Sequence, residues 1–147
     1  GPQITGMLKL QYNSKQFWTA SLALNYFDKI YVEPSPQRRT TEAIDNVDPA
    51  SSLYSKILTQ ERLPSQMTVD AFFRKSFMLN KYIKTLKKRM YLDINIQASN
   101  ILDNKNFAYS GREQLRFDFQ DNNPDKYPNR YYYMMGRTYS VNLVFRM

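Results

Sequence analysis

The 147 residues carry 21 Lys+Arg against 13 Asp+Glu, a formal charge of +8, in a length that suits one ordinary domain. The absence of Cys excludes disulfides, thiolate nucleophiles and Cys-bearing metal sites, and the absence of His removes the commonest general base and metal ligand. Aromatic residues make up 15%, with 12 Tyr and 9 Phe against 4 Gly, a profile that favours strands over helices.

No stretch approaches the roughly 18 to 20 apolar residues of a membrane helix, and Gly1-Pro2-Gln3-Ile4 has neither a basic n-region nor an apolar h-region. A mean hydropathy of −0.63 does not exclude the membrane, because transmembrane strands alternate apolar and polar residues and average out as hydrophilic.

Period-two alternation predicts five strands, over residues 3–12, 16–33, 66–79, 90–99 and 132–147. The first sets Ile4, Gly6, Leu8, Leu10 and Tyr12 against Thr5, Met7, Lys9 and Gln11, and Asn13-Ser14-Lys15 reads as a turn. In the second, Trp18, Ala20, Leu22, Leu24 and Tyr26 form an apolar face, and Thr19, Ser21, Ala23 and Asn25 a small, polar one. Trp18 and Tyr26 bracket about 27 Å of strand, or roughly 20 Å of height at a 40–45° tilt, close to the apolar band of an outer-membrane barrel between its two aromatic girdles.

The third strand presents Met67, Val69, Ala71, Phe73, Phe77 and Leu79 on one face, interrupted by Lys75. The fourth alternates Leu92, Ile94, Ile96 and Ala98 with Asp93, Asn95, Gln97 and Ser99. The last sets Tyr139, Val141, Leu143 and Phe145 against Ser140, Asn142, Val144 and Arg146. Between the strands, the connections at 13–15 and 80–90 are shorter than those at about 34–65 and 100–131. Short turns on one side and long loops on the other are what a transmembrane barrel predicts, with the long loops outside and the C-terminus periplasmic.

Five strands cannot close a membrane barrel, whose minimum is about eight, and an open edge in lipid leaves backbone groups unpaired at several kcal/mol each. The expectation is therefore an all-β chain: an antiparallel transmembrane β-barrel of which these residues supply about the last five strands.

Four segments in order carry a resemblance. The stretch from Gly136 to Phe145 (GRTYSVNLVF) resembles the closing strand of TonB-dependent outer-membrane receptors, and that from Leu92 to Lys105 (LDINIQASNILDNK) the penultimate strand with its N-hydrophobic-L-(N/D) ending. Pro36-Gln37-Arg38-Arg39-Thr40, and the run from Leu63-Pro64-Ser65 to Phe77, are similar to the preceding outer loop and strand in the SusC- and RagA-like nutrient-uptake branch.

The resemblance implies a barrel of about 22 strands around a plug, of which this chain holds neither the plug nor the TonB box. It implies active import, energised by the TonB complex, of an oligosaccharide or peptide nutrient, often with a surface lipoprotein as lid. Further implied partners are the rest of the barrel, outer-membrane lipid and the barrel-assembly machinery, which would recognise Gly136, Tyr139, Val141 and Phe145. Here Phe145 is followed by Arg146-Met147, whereas many such barrels end on an aromatic residue. The implied location is the outer membrane, with no cofactor and no nucleic-acid partner.

Candidate ligand contacts lie in the two long loops. Arg38, Arg39, Arg112 and Arg116 could face an anionic group, or could hold loop against loop, with Glu113 and Asp118 as salt-bridge partners. Tyr131 in the run Tyr131-Tyr132-Tyr133 could stack on a sugar or peptide, although its place on a strand favours an interfacial girdle, the role also read for Trp18 and Tyr26. The basic run Lys81, Lys84, Lys87, Lys88, Arg89 is local, since removing its five charges takes the formal +8 to +3. It reads as a solvated turn at the membrane rim.

No nucleophile elbow, phosphate loop, dinucleotide fingerprint or calcium loop occurs, so no catalytic or metal residue is assigned and the chain is not read as an enzyme. Two rival readings are a passive or structural outer-membrane barrel and a soluble basic β domain that binds nucleic acid.

Overall fold

The computed structural model describes residues 1–147. Its elements run β1 (Pro2–Ser14), β2 (Trp18–Tyr31), α1 (Thr41–Ile44), α2 (Ser52–Leu58), β3 (Arg62–Leu63), β4 (Gln66–Met78), β5 (Tyr91–Ser99), β6 (Ala108–Arg112), β7 (Arg130–Tyr133) and β8 (Thr138–Arg146). The main sheet has the order β1-β2-β4-β5-β8, with β3 paired to the end of β2, and β6-β7 form a second, two-stranded sheet. The β4–β5 and β5–β8 pairs are antiparallel. No closed barrel forms, and β1 and β8 are the sheet's free edges.

The chain divides into two compact units. The sheet unit comprises Thr5–Tyr26, Gln66–Lys105 and Met135–Met147, and the loop unit Gly1–Ile4, Phe27–Ser65 and Asn106–Met134.

Within the sheet unit, register aligns the apolar rows: Ala71–Ala98–Tyr139, Phe73–Ile96–Val141, and Phe77–Leu92–Phe145 lie directly across β4, β5 and β8, and Lys75 alone interrupts the face, in the row of Ile94 and Leu143. The polar rows fall between them, as Phe72–Gln97–Ser140, Arg74–Asn95–Asn142 and Ser76–Asp93–Val144. A slip of one residue would exchange the two faces everywhere, so this pattern fixes the pairing.

Burial in this unit is inverted. Its buried side chains are Ser21, Thr68, Asp93 and Asn100, all polar. Its apolar face is open instead, with Leu10, Val141, Tyr139 and Phe145 65–68% exposed. That face is continuous, with Leu10, Tyr12, Ala20, Leu22, Ala71, Phe73, Ile96 and Ala98 lining one shallow trough. Trp18 stacks at its end with Tyr12, 5.1 Å between ring centres, and with Phe73 at 6.0 Å. Lys75 lies between Phe73 and Phe77 and extends its ammonium to the carbonyl of Gln16, 2.7 Å away, so the charge leaves the apolar surface.

The polar face is knotted by charge. Asp93, 2% exposed, accepts from Arg74 (2.6 Å), Ser76 Oγ (2.6 Å) and Arg146 (Nε, 2.8 Å) on the two flanking strands. Further along, Asn25 donates to Asp70 at 2.9 Å, and Asp70 accepts the Asn100 amide at 2.9 Å.

The loop unit has conventional cores. Ile30, Val32, Leu63, Phe107 and Ala108 form one cluster, and Ala43, Val47, Ile57 and Phe117 another. All the buried hydrophobic residues of the chain lie in this unit. The helices start where sequence chemistry permits: Thr40 Oγ1 accepts the Ala43 amide, and Ser51 Oγ the Tyr54 amide.

Two expected boundaries need correction. The first turn lies at residues 15–17, not 13–15, with Phe17 at φ 60°. The last segment, expected as one strand over 132–147, is two: β7 pairs with β6, and only β8 joins the main sheet. Between them the backbone bonds elsewhere, the Met135 carbonyl accepting from Asn100 Nδ2 (3.1 Å) and the Arg137 amide donating to Asp103 (2.8 Å). The loops expected over 34–65 and 100–131 hold α1, α2, β3 and β6.

Candidate functional site

The loop unit brings most of the candidate ligand residues together. A tight helical turn over Pro36–Arg39, opened by Ser35 Oγ accepting the Gln37 amide, places Arg38 and Arg39 side by side in the chain. Arg38 is buried, and its Nη2 donates to the carbonyls of Pro124 (3.0 Å) and Tyr127 (3.2 Å). Arg39 forks onto the buried Glu113, at 2.6 and 3.2 Å, and also donates to the carbonyls of Ser35 and Leu58. Of the two roles open to these arginines, their guanidiniums perform loop-to-loop packing.

Burial by itself would raise the Glu113 carboxyl's pKa. Hydrogen bonds from the Arg39 side chain and the Ser35 amide, with the charges of Arg39 and Arg38, outweigh it and hold the group below the usual carboxylate range. Asp118 is likewise taken, by Lys126 at 2.8 Å.

Tyr131 lies on β7, where its hydroxyl bonds Glu61 at 2.9 Å, and Asn129 Nδ2 donates to the same carboxylate at 2.7 Å. Burial first, and then the Glu61 bond, push the phenol's pKa up. Tyr132 and Tyr133 follow on β7 and are exposed, so the tyrosine run belongs to the small sheet rather than to the last long strand.

Two cavities open in this unit. One, of about 570 Å³, is lined by Arg38, Lys56, Glu61, Asp125, Asn129 and Tyr131; Lys56 pairs with Asp125, Arg38 with backbone carbonyls, and Glu61 with Asn129 and Tyr131. The other, of about 440 Å³, is lined by Glu33, Arg112, Gln114, Leu115, Arg116 and Arg130 among others. Arg112 and Arg116 therefore share a cavity, and neither forms a salt bridge there.

The residues expected to guide assembly all belong to the sheet unit. Gly136 is hemmed in: a Cβ there would stand 2.5 Å from Asp103 Oδ1 and 2.7 Å from Lys105 Cε. Tyr139, Val141 and Phe145 project from β8 onto the exposed apolar face, which also carries Trp18 and Tyr26. No three acidic side chains converge as a cation site.

Comparison of the chain with protein-family models, with curated proteins and with solved structures finds no match. Geometry alone therefore bears on function.

Sequence reasoning missed Glu61, which anchors Tyr131 and Asn129, because its partners are about 70 residues away. It also missed Arg130, whose sequence signal was its place directly before the tyrosine run.

Proposed function

We propose that the chain is part of a TonB-dependent active transporter that imports an oligosaccharide or peptide nutrient across the outer membrane. The inverted burial of the sheet unit carries this reading. Water would drive the Leu10–Leu22–Phe73–Ile96–Val141 face into a core, whereas lipid solvates it as it stands. Strands β1, β2, β4, β5 and β8 are 9 to 14 residues long, against the roughly 9–11 that a tilted transmembrane strand needs. The buried Asp93 knot and the Asn25–Asp70 pair would then face the barrel interior, whose polar side chains meet the plug or water.

The rest of the barrel would cover the free edges of β1 and β8, since an unpaired edge is not tolerated in lipid. The loop unit would supply external contacts to substrate, and β8 the strand read by the assembly machinery. TonB, working through the plug, would provide the force for import.

These residues hold no Cys, so once any other cysteines of the protein are replaced, introduced thiols report single positions. In outer membranes of cells making the protein, thiols at Leu22, Ile96 and Val141 are expected to resist a membrane-impermeant maleimide. Thiols at Asn25, Asn95 and Asn142 should react once the interior is opened by denaturant. Ready reaction of the Leu22, Ile96 and Val141 thiols in the native protein would refute the membrane reading. Uptake that survives collapse of the proton gradient would refute the active-transport part and leave a passive barrel.

A further inference from the structure

The cavity holding Arg112, Arg116 and Arg130 is built unlike its surroundings. Arg112 and Arg130 are directly opposed across β6 and β7, so their side chains leave the same face of the pair. Like charges placed so are destabilising unless something neutralises them. One carboxylate stands beside the pair, that of Glu33, whose backbone bridges Arg112 on its other side, so a single anion answers three arginines. Glu113, the other carboxylate in the wall, is held by Arg39, and Glu33 closes no salt bridge with any of the three arginines. Elsewhere in the loop unit Arg38, Arg39, Lys56 and Arg62 all have protein partners.

The scaffold beneath the arginines is rigid. The Glu33 amide donates to the Gly111 carbonyl at 2.8 Å, and the Glu113 amide to the Glu33 carbonyl at 2.9 Å. Alternation at the end of β6 buries Gly111 and the following Glu113 and leaves Arg112 exposed between them. Gly111 admits no side chain without crowding, since a Cβ would stand 3.1 Å from the Arg130 carbonyl and 3.2 Å from Val32. The two strands thus hold the arginine pair in place, and Arg116 joins it at the same cavity.

We infer that this cavity is a binding site for a tetrahedral oxyanion, a phosphate or sulfate ester carried by the substrate. A single carboxylate is satisfied by one guanidinium fork. Three arginines lining one cavity suit an anion with three terminal acceptor oxygens, which phosphate and sulfate esters both present. The inference rests on the importer reading only for the idea that the anion belongs to an imported substrate; the site itself stands or falls separately.

The test is calorimetric titration of the intact, detergent-solubilised protein with sodium sulfate and with sodium phosphate, at ionic strength matched with chloride. Both dianions are expected to bind saturably, with affinity reduced at least tenfold in Arg112→Gln and in Arg130→Gln. Lys88→Gln, in the separate basic run, should bind as the parent does. Sodium acetate is the discriminating arm, and an affinity equal to that of sulfate would overturn the tetrahedral assignment. Absence of saturable sulfate binding, or binding unchanged in both arginine variants, would overturn the site. Thermal melts guard against misfolding: Arg130→Gln should match or exceed the parent's midpoint without sulfate, because it relieves the opposition to Arg112. Sulfate binding by a protein that proves not to reside in a membrane would sink the importer and leave the site.

Discussion

Glu113 shows how one carboxylate can hold two loops. It is buried, and Arg39 and the Ser35 amide both point at it. Its folded pKa lies below its unfolded one, so the contribution is complete above the unfolded value of about 4.3 and is lost as pH falls through the folded value. Glu113→Gln should therefore weaken the loop unit by about 3 kcal/mol at neutral pH and flatten its acid limb. Hydrogen exchange at the Ser35 amide, followed as a function of pH, reads both effects. Gly136 gives a steric counterpart. Asp103 Oδ1 is fixed by the Arg137 amide, so Gly136→Ala should cost about 1–3 kcal/mol by denaturant melts, and less in an Asp103→Gly background. The sequence offered Gly136 as part of a strand signal. It could not reveal that Asn100 and Asp103, both at positive φ, fold the Asn100–Lys105 segment against it.

Among the elements, the sheet strands were legible because alternation is local and both of its parities survive in the register. Leu92, Ile96 and Ala98 read as one face from sequence, and β4 and β8 place their own apolar residues opposite them. The break at 134–137 was not legible, because its cause is long-range: Asn100 and Asp103 take the hydrogen bonds that a continuing strand would need. The short helices were hidden for a related reason, since α1 spans only one turn and leaves no periodicity to detect. Asp93 was visible as a polar residue but not as the centre of a knot across three strands. Asp93→Ala would leave Arg74 and Arg146 facing each other without an anion. The expected loss is about 2–3 kcal/mol, somewhat below that of a fully buried pair because both guanidiniums are partly exposed. Urea unfolding followed by Trp18 fluorescence measures it.

For the molecule as a whole, the decisive question is what solvates the apolar face, and depth is the variable that separates lipid from a protein partner. Along β8 the face runs Tyr139, Val141, Leu143, Phe145, about 20 Å of strand or roughly 15 Å of height, so its ends would lie nearer the two interfaces than its centre. In a bilayer a lysine is worst at the midplane, by about 2–4 kcal/mol, and close to neutral at either interface, because a long cationic side chain near an edge reaches the headgroups. Single lysine substitutions at these four positions should therefore give a dome of destabilisation, highest at Val141 and Leu143 and low at Tyr139 and Phe145, read by denaturant unfolding in lipid vesicles. The neighbouring substitutions Ser140→Lys and Asn142→Lys, on the polar face, should stay within about 1 kcal/mol of the parent. A packed protein partner obeys a different rule. There the penalty follows local packing, so Tyr139 and Phe145, the largest side chains of the row, would be hit as hard as the centre. A flat or end-weighted profile would put a protein core against this sheet, and the transporter reading would fall with it.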